Sequence, residues 1–184
     1  MAIVKKKSKS VYGANPEFVM EEPHTLSILV ENEPGVLARV IGLFSGRGYN
    51  IESLTVARVD DEKNLSRITI VSTGTPQVIV QIKHQLERLV PVHKVNDLTV
   101  EGPHVGRELA LIKVVCSGDQ RIEAIRTAEI FRARVVDSTV ESFVFEVTGS
   151  IDKIDAFLEL MKPLGIAEIS RTGTAAMSRG GNAL

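Results

Sequence analysis

The sequence predicts an α+β protein built from two modules of the same βαββαβ order. Apolar residues first alternate at the spacing of a strand, then recur at the spacing of a helix, and this succession repeats after a short segment rich in glycine and proline. The 184 residues, 43% of them hydrophobic, suffice for two small cores. Each module is expected to be ferredoxin-like, a four-stranded antiparallel sheet with two helices on one face and the other face open.

The first module begins with a strand and an amphipathic helix. Leu26, Ile28 and Val30 alternate as a half-buried strand requires. Pro34 suits the first turn of the helix that follows, and Gly46 and Gly48 are expected to end it. The apolar residues that share one face of this helix are Val36, Leu37, Val40, Ile41 and Phe44.

A hairpin, a second helix and a last strand complete the first module. Residues 51–59 and a strand from Leu65 flank the polar turn 60–64. Thr75 and Pro76 open the second helix, and Pro91 precedes a strand that we expect to run through Val100. The apolar face of that helix comprises Val78, Ile79, Ile82, Leu86 and Leu89.

Residues 101–106 combine one proline with two glycines, which is typical of a linker, and a similar pattern follows them. Strands are predicted at 109–116, 133–138, 143–148 and 166–171, and helices at 120–131 and from Ile151 to the glycine at 165. We therefore divide the chain into a disordered tail at 1–23, a first module at 24–101, a second module at 107–178 and a mobile tail at 179–184.

The composition and charge of the chain argue against several classes of function. With 22 basic and 23 acidic residues the net charge is −1, so nucleic acid and anionic membranes are not expected partners. No apolar run approaches the ~20 residues that a membrane-spanning helix needs. The single cysteine, Cys116, lies in an apolar strand and is expected to be buried, and the four histidines lack the spacing of metal ligands. We expect a cytoplasmic protein that has no catalytic residues, metal or cofactor of its own.

The loop between the first strand and helix has the chemistry to hold a free amino acid. Backbone N–H groups at Gly35, Val36 and Leu37 are helix N-terminal donors suited to a carboxylate. The amides of Asn32 and Asn50 can both donate and accept hydrogen bonds. Val36 and Ile51 suit an aliphatic side chain. From spacing alone a purely structural role stays open, because asparagine and glycine are common at helix caps and turns.

The stretch HTLSILVENEPGVLARVIGLFSGRGYNIESL, residues 24–54, resembles an ACT domain, and GLFSGRGYNIESLTV is similar to the regulatory small subunit of acetolactate synthase. The segments LSRITI, QLERLV, EIFRARVVD and DAFLELM are also similar to that family, so the resemblance covers residues 24–178. It implies an N-terminal ACT domain and a C-terminal ACT-like domain. It also implies a valine site between two first modules, lined by the positions matching Asn32, Gly35, Ala38 and Asn50.

The resemblance implies a non-catalytic regulatory subunit in branched-chain amino-acid biosynthesis. Such a homodimer would bind and activate the catalytic large subunit of acetolactate synthase and make it sensitive to feedback inhibition by valine. Thiamine diphosphate, magnesium and any FAD would belong to that catalytic partner.

The sequence leaves two alternatives open. A stand-alone amino-acid sensor has the same loop chemistry, and only its partners distinguish it. An RNA-binding module shares the βαββαβ order, but it needs aromatic residues on the open sheet face. The strand LSRITIVS has none, and core packing is the simpler explanation for Phe143 and Phe145.

Overall fold

The computed structural model describes residues 20–181 and confirms the α+β fold with two βαββαβ modules. The predicted disordered tail therefore lies outside the described residues up to residue 19, and the predicted mobile tail from residue 182 onward. The elements in chain order are β1 (Glu22–Glu31), α1 (Val36–Arg47), β2 (Ser53–Asp60), β3 (Leu65–Gly74), α2 (Pro76–Glu87), β4 (Val92–Asp97), β5 (His104–Val115), α3 (Asp119–Phe131), β6 (Arg134–Ser138), β7 (Ser142–Gly149), α4 (Ile151–Met161), β8 (Ile166–Arg171) and β9 (Ala175–Ser178).

Each module has one antiparallel sheet with its core between the sheet and two helices. The strand orders are β2-β3-β1-β4 and β6-β7-β5-β8, with β9 paired to the beginning of β5. In the first core, Leu26 and Ile28 of β1 pack against Phe44 of α1, and all three are almost inaccessible to solvent. In the second core, Phe145 and Phe157 meet edge to face.

Local sequence signals explain most helix boundaries. Thr75 and Ser150 cap α2 and α4 by accepting hydrogen bonds from backbone N–H groups three residues later. Gly48 adopts a left-handed conformation with φ 70° and closes α1, as predicted, whereas Gly46 lies inside the helix.

Several strand boundaries differ from the prediction, two of them because long-range pairing extends the strand. β1 begins at Glu22, since Glu22 pairs with Gly74 of β3, so this strand starts inside the segment predicted as a disordered tail. β4 ends at Asp97 rather than Val100. β5 begins at His104, inside the predicted linker, because its first four residues pair with β9, a strand that we did not predict.

The second face of the first sheet is covered in part, whereas we expected it to be open. Ser27, Thr69 and Val71 point away from the helices and are nonetheless buried. The segment that leads into β9 contacts this sheet through a hydrogen bond of 2.9 Å, which the backbone N–H of Thr174 donates to Ser53 Oγ. The two modules are therefore joined through the chain segment 172–178 as well as through the short connection before β5.

Candidate ligand-binding site

The start of α1 leaves a helix N-terminus without a side-chain cap. Gly35 is the N-cap residue at φ 87°, and no side chain accepts a hydrogen bond from the first turn. Pro34 precedes the helix instead of lying in its first turn, because the left-handed Gly35 separates the two. The first turn contains no acidic residue. The partial positive charge of this helix end is therefore available to an anion.

Asn32 does not cap α1, because its bonds run to the β2–β3 turn. Its backbone N–H donates to the carbonyl of Asn64 at 2.8 Å, and the Asn64 side-chain amide donates to the Asn32 carbonyl at 3.2 Å. A weaker contact of 3.4 Å joins Asn32 Nδ2 to Asn64 Oδ1. Asn64 is itself left-handed, at φ 53°. Asn64 was not among the predicted site residues, although asparagine in a polar turn is a common signal for this conformation.

The other predicted residues of the loop are divided between core and surface. The Val36 side chain is 3% exposed and belongs to the first core, so Val36 presents only its backbone to the loop. Leu37 and Ala38 face outward on α1. Ile51 is half-buried and packs at the edge of the core. A ligand at the loop would therefore meet Leu37 and Ala38 rather than Val36.

Asn50 lies after the opposite end of α1. The helix has twelve residues, and at 1.5 Å per residue it is about 18 Å long. The Asn50 side chain is exposed, and its backbone carbonyl accepts a 2.7 Å hydrogen bond from Ser72 Oγ. The two halves of the predicted site thus do not meet within one chain, so a site that contains Gly35 and Asn50 together requires two copies.

The outer surface of α1 has the properties of a contact between helices. Leu37 and Ile41 are 37% and 39% exposed, one turn apart. Ala38, Gly42 and Gly46 follow at four-residue spacing, and apart from the adjacent residues and the helix's own backbone no atom lies within 4 Å of a Cβ built on either glycine. Glycine inside a helix destabilises it by about 1 kcal/mol relative to alanine, so two such residues on an exposed face favour close approach of another element.

The residues that could have served as a reactive thiol, a base-stacking surface or metal ligands lie in environments that indicate a structural role. Cys116 is buried, as predicted. Phe143 and Phe145 are 5% and 0% exposed in the second core, which supports core packing over base stacking. His24 Nδ1 lies 2.7 Å from Asp97 Oδ2 in a buried pair that the sequence did not predict. Within residues 20–181, no cluster of three or more histidine, cysteine or acidic side chains is arranged to hold a metal ion.

No helix in the described part of the chain is both long and apolar enough to cross a membrane.

The fold and the loop define a class of protein, the ACT-type regulatory proteins, and comparison with known proteins agrees. A family described as the acetolactate synthase (AHAS) small-subunit-like ACT domain matches residues 26–94, and a second, described as the small subunit of acetolactate synthase, matches residues 107–180.

Proteins that match nearly the whole length of this chain identify its family. A probable acetolactate synthase small subunit from Archaeoglobus fulgidus is 50% identical over 157 residues, which are 85% of this chain and 97% of that protein. The isozyme 3 small subunit from Salmonella typhimurium is 49% identical over 84% of this chain and 94% of its own length. The crystal structure of the Thermotoga maritima small subunit superposes with a TM-score of 0.77 at 39% identity, over 88% of this chain and 99% of that one. The chain belongs to the acetolactate synthase small-subunit family and is a regulatory, non-catalytic subunit.

Proposed function

We propose that this chain, in the cytoplasm, binds and activates the catalytic large subunit of acetolactate synthase and confers feedback inhibition by valine. The observation that carries the ligand part of the proposal is the exposed N-terminus of α1, with Gly35 at φ 87°, no side-chain cap and no acid in the first turn. Family membership supports the catalytic partner, to which thiamine diphosphate, magnesium and any FAD would belong.

A homodimer would bring the two halves of the ligand site together. β2 is an edge strand of the first sheet, and the exposed face of α1 carries Leu37, Ile41 and Gly42. A two-fold axis that packs α1 antiparallel against its copy places the start of one helix beside the end of the other. Gly35 of one protomer then faces the copy's Asn50 across the interface, which neither chain achieves alone.

This arrangement matches the three parts of valine. The carboxylate would lie at the first-turn N–H groups of Leu37 and Ala38, since the Val36 N–H donates to the Glu33 carbonyl at 3.4 Å, and the helix end favours an anion there. The ammonium group needs acceptors, and the side-chain oxygens of Asn32 and the copy's Asn50 can supply them. Leu37 would contact the isopropyl group. Feedback inhibition then requires that valine bind more tightly to the dimer arrangement that holds the catalytic subunit in its less active state.

Reconstitution with the purified catalytic large subunit tests the proposal. We expect the chain to co-purify with that subunit and to raise its acetolactate synthase activity, and we expect valine to lower the raised activity. Asn50→Ala should weaken valine inhibition while activation is retained, because it removes one acceptor from the site. Valine binding without any effect on a large subunit would instead indicate a stand-alone sensor. If Asn50→Ala kept the full valine response, the ligand site would be placed wrongly.

The dimer can be tested apart from the ligand. Gly42→Ile fills the open space on α1 and should weaken self-association at least about tenfold, because the helices can no longer approach closely. Isoleucine has a higher helix propensity than glycine, so unfolding is not the expected cause. Sedimentation over a range of concentrations measures the effect. Ala156→Ile, a similar enlargement on the exposed surface of α4, is the matched control and should leave the dimer unchanged.

A further inference from the structure

A cavity of about 340 Å³ lies between the sheet of the first module and the ladder formed by β5 and β9. It is not part of the α1 site, because its lining comes from the opposite face of the sheet. Most of the lining is aliphatic, and the residues that form it include Ala57, Val59, Val105, Ala176 and Met177. The volume is at the lower end of the range for small-molecule sites.

The unusual feature of this cavity is Arg67. It lies on the central strand β3, paired with Leu29 of β1 and Ala57 of β2, and its side chain is on the face turned away from the helices. Its Nε atom is buried and has no hydrogen-bond partner. None of the ion pairs within residues 20–181 includes this guanidinium. The buried Nε–H of this half-buried guanidinium lacks an acceptor, so a carboxylate bound here would supply one.

The remaining charges around the cavity have the same sign. Arg107 also lines it and donates only to the carbonyl of Gly106, at 2.7 Å. No acidic residue is among the lining residues, while Thr55 and Thr69 contribute hydroxyl groups. Two guanidinium groups over an aliphatic wall complement a ligand that has an anionic head and an apolar body.

We propose that this cavity binds a small aliphatic monocarboxylate, with the carboxylate on Arg67 and the chain along the Val59, Val105 and Met177 wall. A free amino acid does not fit equally well, because no carboxylate lines the cavity to receive its ammonium group. The ligand class therefore differs from that of the α1 site, and this proposal holds or fails independently of the valine site.

Calorimetric titration of the full-length protein with hexanoate tests the proposal. Hexanamide has the same shape without the charge, and norleucine has the same chain with an added ammonium group. We expect saturable binding of hexanoate, and binding of the other two at least about tenfold weaker. Hydrogen bonds to a charged group contribute about 1.5–3 kcal/mol, which corresponds to about a 10- to 100-fold change in affinity. Amide shifts in β9 should locate the ligand at this cavity.

Variants at Arg67 decide between specific and adventitious binding. Arg67→Met keeps an unbranched chain and should lower hexanoate affinity by about 10- to 100-fold. Its thermal stability without ligand should be unchanged or higher, because no partner is lost. Arg67→Lys should retain part of the binding, and Arg126→Met, on the exposed surface of α3, should retain all of it. Equal binding of hexanamide, equal binding of inorganic phosphate, or unchanged affinity in Arg67→Met would each overturn the proposal.

Discussion

The two modules repeat one design down to the register of their strands, yet they differ where a ligand would bind. Leu26 of β1 pairs with Asp97 of β4, and at the equivalent place Ala110 of β5 pairs with Arg171 of β8. Both pairings shift register four residues further along the first strand of the module. Each of these strand pairs, β1–β4 (the first seam) and β5–β8 (the second seam), also holds a buried carboxylate bonded to a basic side chain, Asp97 to His24 and Glu108 to Arg171. The repeat therefore extends to irregular features and not only to the order of elements.

The difference lies in the loop after the first strand. In the first module four residues separate β1 from α1, and the loop starts with the exposed Asn32. In the second module three residues separate β5 from α3, and the buried Cys116 stands in place of the asparagine. Both helices have a glycine N-cap without side-chain bonds, but α3 begins with Asp119 whereas α1 begins with Val36. A carboxylate at the start of a helix satisfies its dipole internally, so the second module offers less to an anionic ligand.

The largest expected effect concerns the ion pair of the second seam. Arg171→Met should lower the free energy of unfolding by about 3 kcal/mol, because it leaves the Glu108 carboxylate, 5% exposed, without its cation. The hydrogen bond from Arg171 to Glu108 also raises the pKa of Arg171 above its usual value. The guanidinium is therefore charged at every pH used in an unfolding experiment. Urea unfolding at neutral pH measures the loss.

Two further variants show whether the buried pair is responsible. Arg126→Met breaks a solvent-exposed pair with Glu123 and should change the free energy of unfolding by less than about 0.5 kcal/mol. Adding Glu108→Gln to Arg171→Met should recover part of the stability, since no buried charge remains. The seam interpretation would be wrong if Arg171→Met and Arg126→Met were equally stable.

An intermediate effect is expected from a substitution made in parallel in the two loops. Gly35→Asp should raise the valine concentration for half-inhibition of the reconstituted enzyme about 30-fold, equivalent to about 2 kcal/mol, because it places a like charge beside the ligand carboxylate. Gly118→Asp, at the N-cap of α3, should leave valine inhibition unchanged. Both glycines have positive φ, but Gly118, with ψ −131°, lies outside the left-handed helical region, so Gly118→Asp carries the larger backbone strain of the two variants. Equal loss of inhibition in both would eliminate the proposed asymmetry.

The smallest effect concerns a carboxylate just after the first seam. Burial raises the pKa of Glu101, but hydrogen bonds from Lys83 Nζ at 2.5 Å and the Asp97 backbone N–H at 3.1 Å outweigh it and lower that pKa below its usual 4.5. A lowered folded-state pKa stabilises the fold above pH 4.5, and this contribution is lost as the pH falls through the folded value. Glu101→Gln should therefore lower the free energy of unfolding by about 0.5 kcal/mol at neutral pH.

The difference between this variant and the wild type should shrink as the pH falls below 4.5, because the Glu101 carboxylate becomes protonated and loses its charge. Urea unfolding at neutral pH and below pH 4.5 measures the change. Glu168, whose pKa is lowered by a hydrogen bond from Lys113 on the surface of the second sheet, serves as the exposed comparison. Glu168→Gln should show a smaller dependence on pH, because solvent screens its pair. A pH-independent effect of Glu101→Gln would show that the charge is not responsible.

Periodicity and turn chemistry were sufficient to predict the order of helices and strands in the two modules, because these signals are local. The helical spacing from Val36 to Phe44 and the Thr75–Pro76 start of α2 both agree with the structure. The distance between Gly35 and Asn50 also followed from the sequence in principle, since a helix of known length separates them. The bond between Asn32 and Asn64 did not, because it joins two loops that only the folded sheet brings together.

β9 shows why other parts of the structure could not be predicted from the sequence. Its residues, AAMS, are mostly small and lack the β-branched alternation that marks a strand. It forms because His104 of β5 pairs with Ser178 and because the first sheet offers a face to cover. The lack of a hydrogen-bond partner at Arg67 Nε could not be predicted either, since a sequence does not show which side chains will surround a charged residue on a strand.

The position of β9 also sets an order of events during synthesis. The first module has all its own strands once residue 97 has left the ribosome, but the segment that covers its second sheet face ends only at Ser178. These contacts cannot form before that segment has been synthesised, and pairing between residues so distant in the chain is intrinsically slow. The nascent first module therefore carries a less covered sheet face while the second module is being translated, and transiently exposed apolar surface of this kind favours aggregation.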